Sequence, residues 1–295
     1  MFRDQQEHNE AETLAKDQMK MHLGNLALAF LTMRLITGCS KETNDPGLYD
    51  EAVRLNPTEA WPYDRRGWAR GVKGELDGAI SDFSEAIRLN PRDAVAYGLR
   101  GKAYSDKGEL DKAVSDLTEA IRLNPTDTLA YQHRGYISSK NGELDKAMSD
   151  LNEAIRLDPK LAVAYDNRGW TYSKMGEFHK AVGDVNEAIR LSPKDGKAYN
   201  SLAWLLATCP DPSIRNGTKA VEVAKTACEL EGWKTWYCVG TLGAAYAELG
   251  DFQQAINSQK RAMNMPGPTD KDRTDAEKRL DLYQQGKPYR EPAKR

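Results

Sequence analysis

The chain has 295 residues, with 42 Lys or Arg against 44 Asp or Glu and a formal net charge of -2. That balance argues against a nucleic-acid partner, which needs a clustered surplus of cations, and an apolar share of 40% suits a folded core. Four cysteines, Cys39, Cys209, Cys228 and Cys238, without a C-x-x-C pair, argue against a disulfide framework and a structural zinc site.

Residues 1–18 are polar and hold no periodic core. Met19-Lys20-Met21-His22 then makes a short basic start, followed by the apolar run 23–33 and by Leu35-Ile36-Thr37-Gly38-Cys39-Ser40. A basic start, a brief apolar stretch and a small-residue end satisfy the signal-peptide template, and the stretch is too short to span a bilayer. Ile36-Thr37-Gly38-Cys39 resembles a bacterial lipoprotein box, which implies that Cys39 becomes a lipidated first residue. Arg34 interrupts the apolar stretch, and residues 1–18 stand ahead of Met19; a true start at Met19 answers only the second point. The alternative is an amphipathic first helix packed on the rest of the protein. Segment 1–39 is therefore expected as a signal- or lipoprotein-like leader. The expected location is the bacterial envelope if it is processed, and the cytoplasm otherwise.

Segment 40–59 reads as a linker with a partial repeat, because 49–57 (YDEAVRLNP) has the form of the tail of a helix without its companion. From residue 60 the chain repeats itself. Residues 94–127 read AVAYGLRGKAYSDKGELDKAVSDLTEAIRLNPTD and residues 162–195 read AVAYDNRGWTYSKMGEFHKAVGDVNEAIRLSPKD, with 60–93 and 128–161 in the same frame. Gly67, Gly101, Gly135 and Gly169 recur at a spacing of 34, as do Gly74, Gly108, Gly142 and Gly176, then Ala79, Ala113, Ala147 and Ala181. Pro91, Pro125, Pro159 and Pro193 close the units. Each unit carries two apolar stretches at helical spacing joined by a short turn. The first glycine permits close helix approach, the second sits where a left-handed cap would end the first helix, and the proline stops the second helix.

This period and internal pattern resemble the tetratricopeptide repeat. The resemblance implies an all-α fold, a right-handed superhelical solenoid of antiparallel helix pairs with a C-terminal capping helix. One hairpin cannot bury its apolar face, so the units must stack. The units expected are 60–93, 94–127, 128–161, 162–195, 196–232 and 236–267, together a solenoid over 60–267. The fifth is degenerate: it keeps Tyr199, Ala203, Ala220 and Ala227 but carries a proline-rich insertion, 208–217, expected to bulge from one edge. The sixth restores the pattern with Gly243, Tyr246, Gly250, Ala255 and Ala262. Residues 268–295 are expected as a capping helix and tail, the helix over 269–285 with Ala276, Leu280 and Tyr283 on one face.

Two sets of positions bear on function. Arg66, Arg100, Arg134 and Arg168 on the first helices and Asp82, Asp116, Asp150 and Asp184 on the second keep the same period, which predicts a salt bridge within each unit. Surface pairs contribute about 0–1 kcal/mol each, so the ladder is expected to set register rather than supply bulk stability. The variable set follows the first glycine: Trp68, Lys102, Tyr136, Trp170 and Trp204, with Asp64, Gly98, Gln132, Asp166 and Asn200 four residues earlier and Arg65, Leu99, His133, Asn167 and Ser201 three earlier. In the family that it resembles these faces line a concave groove for extended peptides. Aromatic rings flanked by Asp, Gln and Asn suit that use, since rings give anchoring area and amides reach backbone groups. The partner-binding candidates are Asp64, Trp68, Lys102, Gln132, Tyr136, Asp166, Asn167, Trp170, Asn200 and Trp204. The alternative is that the rings pack between adjacent first helices. The family's Lys and Asn clamp for a terminal carboxylate does not transfer, because its places hold Asp64, Trp68, Leu99, Leu129 and His133.

No catalytic constellation emerges. His8, His22, His133 and His179 lack a recurrent partner, Gly67, Gly71 and Gly74 lack a phosphate-loop Lys-Ser/Thr, and Cys209 lacks a nucleophile's local signature. The expectation is a scaffold for protein or peptide partners. It is expected to be non-enzymatic, to have no cofactor, metal or nucleic acid, and to meet a membrane only through a lipid anchor at Cys39. The alternatives are a cytosolic adaptor and an accessory subunit of an enzyme system such as a glycosyltransferase.

Overall fold

The computed structural model describes residues 45–292; Cys39 and the leader-like segment lie outside the described residues. These form fourteen helices and no strand. They divide into two compact units, the first ending at Pro125 and the second beginning at Thr126.

In the first unit α1 (Gly47–Leu55) precedes two hairpins, α2 (Ala60–Val72) with α3 (Leu76–Leu89) and α4 (Ala94–Lys107) with α5 (Leu110–Leu123). The partial repeat read at 49–57 is thus a helix, and it buries Tyr49 and Ala52. In the second unit the hairpins are α6 (Thr128–Lys140) with α7 (Leu144–Leu157), α8 (Ala162–Met175) with α9 (Phe178–Leu191), α10 (Gly196–Thr208) with α11 (Gly217–Leu230), and α12 (Trp236–Leu249) with α13 (Phe252–Met263). The last helix is α14 (Asp270–Gln284).

Local chemistry sets these boundaries. Asp93 caps α4 by accepting from the Val95 and Ala96 amides, and Asp127 caps α6 through Leu129 and Ala130. Gly108 ends α4 and Gly176 ends α8 in the left-handed region, at φ 86° and 84°. Thr269 and Asp272 form a capping box at the start of α14. Within a hairpin the contact is backbone-close. A Cβ on Gly101 would stand 2.9 Å from Leu117 Cγ and 3.2 Å from the Ala113 carbonyl. The carbonyls of Ala113, Ala147 and Ala181 would stand 3.2, 3.3 and 3.1 Å from a Cβ on Gly101, Gly135 and Gly169, and these alanines, like Ala79, are fully buried.

The arginine–aspartate ladder forms as read, with pairs at 2.7, 2.7, 2.8 and 2.6 Å in chain order. Its setting differs from the expected surface one. Asp82, Asp116 and Asp150 are buried, at 3%, 7% and 7% exposure, because each lies against the glycine of the facing helix. Each guanidinium also stacks on the tyrosine three residues before it, 5.4 to 5.8 Å away across the four units. Polar side chains sixteen residues earlier take a further hydrogen bond from these guanidinium groups. Arg66 Nη1 donates to Asp50 Oδ1 at 2.9 Å, Arg100 Nη1 to Ser84 Oγ at 3.1 Å and Arg168 Nη1 to Asn152 Oδ1 at 2.8 Å. One arginine therefore ties its own hairpin to the helix before it.

The insertion after α10 corrects the expected bulge. Pro212 and Ser213 are exposed, but Cys209 and Ile214 are buried. Arg215 folds the loop inward, donating to the carbonyls of Cys209 at 2.8 Å and Pro210 at 3.0 Å and pairing with Glu248 at 3.2 Å. The loop closes on the Asn216 amide, which donates to the Leu206 carbonyl at 2.9 Å. An inward arginine with a buried cysteine and isoleucine holds this insertion against the protein rather than away from it.

Candidate partner-binding face

In the first unit Trp68 leaves 38% of its surface exposed. With Val72, Leu99, Lys102 and Asp106 it lines a cleft of about 150 Å³ beside Phe83. Lys102 Nζ pairs with Asp106 at 2.5 Å, one helical turn on, so the cleft holds one cation and one anion together. Asp64 is not free for a partner in the same way. Burial, and the Asp93 carboxylate beside it, push its carboxyl up to about 7. Its Oδ1 has no hydrogen-bond partner.

In the second unit the aromatic stripe is assembled from three first helices. Tyr136 on α6 and Trp170 on α8 stand 6.4 Å apart between centroids with planes tilted by 40°. The residue four places on supplies a cation over each ring: Lys140 Nζ lies 5.6 Å from the Tyr136 centroid and Lys174 Nζ 5.3 Å from that of Trp170. Trp204 on α10 continues the series. Trp170, Lys174, Phe178, Trp204 and Thr208 line a cleft of about 270 Å³, with Glu291 and Pro292 of the C-terminal segment on its border. Tyr136 and Trp170 pack across adjacent first helices, and Tyr136 still keeps 36% of its surface exposed.

The polar candidates are placed less openly. Gln132 is only 4% exposed and leaves the set of residues that a partner could reach. Asp166 is half-buried; burial pushes its carboxyl up to about 6, opposed by the Ser201 hydroxyl and assisted by Asp195. Asp166 Oδ1 and Asn200 Oδ1 are buried without a hydrogen-bond partner. Asn167 is half-buried, and its carbonyl accepts from Thr171 Oγ1 at 2.8 Å. Asp64 thus feels the carboxylate of Asp93 at the start of α4, and Asp166 that of Asp195 at the start of α10. The structure brings Trp68 and Lys102 together in the first unit, and Tyr136, Trp170 and Trp204 into one stripe in the second.

Four contributors were not singled out from sequence. Lys140 and Lys174 carry a readable signal, a cation one turn after an aromatic. Tyr289 and Glu291 carry none, since they lie outside the repeat. Trp204 Nε1 donates to Glu291 Oε1 at 3.2 Å and the Trp204 ring lies 5.9 Å from that of Tyr289.

The thiols offer little chemistry. Cys209, Cys228 and Cys238 are buried and free, and burial pushes Cys228 up to about 12 and Cys238 to about 11, so both stay protonated at neutral pH. Among the described residues no group of three or more ligating side chains could hold a metal ion. No described helix is long and apolar enough to cross a membrane.

Family models described as tetratricopeptide repeat match residues 94–127 and, in a second form, 129–161, 162–195 and 239–266. No curated protein matches the chain. Among solved structures, a tetratricopeptide repeat protein from Parabacteroides merdae superposes with a TM-score of 0.65 at 17% identity, over 90% of this chain and 99% of that one. The APC/C hetero-tetramer Cut9-Hcn1 gives a TM-score of 0.70 at 16% identity over 79% of this chain, which spans only 45% of that longer chain. At such identities the likeness shows the fold.

Proposed function

The chain belongs to the tetratricopeptide-repeat family, and from that premise we propose that it is a non-enzymatic scaffold holding extended peptide segments of partner proteins on the aromatic faces of its first helices. The observation that carries the reading is the partly open stripe of Tyr136, Trp170 and Trp204, with a cleft of about 270 Å³ beside its last two rings. Aromatic anchors in a cleft supply most of the energy of such contacts. The lysines over Tyr136 and Trp170 add a preference for peptides carrying acidic side chains next to an apolar one.

The test begins with peptides selected from a random library on the full chain. Selected peptides should lose at least tenfold in affinity on Trp170→Ala, with the melting temperature nearly unchanged. Equal binding to both proteins would overturn the reading. For location we propose the bacterial envelope, supported by the Ile36-Thr37-Gly38-Cys39 segment. Intact mass after membrane fractionation should give a chain starting at acylated Cys39. An unprocessed soluble chain would replace the envelope scaffold with a cytosolic adaptor.

A further inference from the structure

The C-terminal segment beyond α14 does something that a simple cap does not require: it crosses to α10 and sits on Trp204. The Glu291 amide donates to the Thr208 carbonyl at 2.9 Å, and Glu291 Oε1 accepts from Trp204 Nε1 at 3.2 Å. Tyr289 packs its ring 5.9 Å from that of Trp204. The Arg279 guanidinium lies over both rings, at 5.6 and 5.9 Å from their centroids. Arg290 donates to the Ala207 carbonyl at 3.3 Å and pairs with Glu248. An extended segment is thus held by a main-chain bond, an aromatic anchor and two charged side chains, the contact types by which a repeat scaffold would take a foreign peptide.

We propose that residues 288–292 are an internal ligand of the face built on Trp204, and that the external partner of this face is an extended peptide of the same chemistry, an aromatic residue followed by a basic and then an acidic one. The proposal rests on the peptide-holding reading above and adds to it both the motif and a built-in competitor. Two features support exchange rather than permanent capping. None of residues 286–292 is fully buried, and the aromatic anchor among them, Tyr289, is only half-buried against Trp204 and the cluster of Ala247, Ala255 and Tyr283, so release gives up chiefly that one ring's contacts. The open cleft at Trp170, Lys174 and Phe178 begins where Glu291 and Pro292 end, so an incoming chain meets the same face without first unfolding a helix. A tethered segment competes at an effective concentration of about millimolar. It thereby lowers the apparent affinity of any rival by the fraction of molecules in which it is undocked.

The test uses the full chain and a fluorescent peptide of sequence GKPYREP, residues 286–292. Wild type should bind the probe weakly. The double variant Tyr289→Ala, Arg290→Ala, which loosens the internal segment, should bind it at least tenfold more tightly, and adding Trp204→Ala to that variant should remove the gain. Equal affinity of wild type and the loosened variant, no binding to the loosened variant, or binding indifferent to Trp204→Ala would each overturn the proposal. The peptide-holding reading is judged separately, by library-selected peptides and Trp170→Ala, so the two can fail independently.

Discussion

The pairs of Arg100 with Asp116 and Arg134 with Asp150 show how one residue can matter more than its type suggests. Fork-to-carboxylate contacts of 2.7 and 2.8 Å involve an aspartate that is almost wholly out of water. Removing one partner leaves an uncompensated buried charge, so Asp116→Ala should destabilise the chain by about 3–5 kcal/mol, read by urea denaturation. A loss below about 1 kcal/mol would return the ladder to the class of surface pairs. Asp64 acts in the opposite sense. Its folded carboxyl titrates near 7, above the ordinary carboxylate value, so the folded state binds more protons than the unfolded one. Stability should therefore fall as pH rises through the window from about 4 to 7 and level off above it. Asp64→Asn should flatten that fall and raise stability at pH 8, visible in melting temperatures across pH. The ladder was readable because its period matched the helices. Its burial was not, because burial depends on the glycine that lets the two backbones approach.

At the scale of the element, the hairpins were legible in detail. Two glycines, an alanine and a proline at fixed places each answer a steric demand that repeats from unit to unit. Gly101→Ala should cost about 1–3 kcal/mol, since the added carbon would press on Leu117 and the Ala113 carbonyl; chemical denaturation checks it. Asp127→Ala should cost about 1 kcal/mol by leaving the Leu129 and Ala130 amides of α6 without their acceptor. The insertion at 209–216 escaped the sequence reading because nothing in its composition says that Arg215 turns inward to three acceptors. The segment 288–292 escaped it for a related reason: its contacts with Trp204 and Thr208 join parts of the chain more than eighty residues apart. A period read within one unit carries no information about such closures. The candidate list divided along the same line, since the aromatic positions follow from the turn they occupy, whereas Gln132 and Asp166 depend on what the next helix places against them.

For the whole molecule, the family supplies the stacking rule and the variable residues supply the use. Each unit of the described chain presents its own aromatic face, with Trp68 and Lys102 in the first and Tyr136, Trp170 and Trp204 in the second. The six tryptophans make this testable in one experiment. Trp68, Trp170 and Trp204 belong to the proposed faces, while Trp61, Trp233 and Trp236 do not. The measurement is the indole N–H spectrum of the 15N-labelled full chain during titration with a library-selected peptide, resonances being assigned by single Trp→Phe variants. The account predicts shifts at Trp170, and at Trp204 when the peptide covers it, with Trp233 and Trp236 unmoved. Shifts confined to Trp233 and Trp236, with a still Trp170, would contradict it.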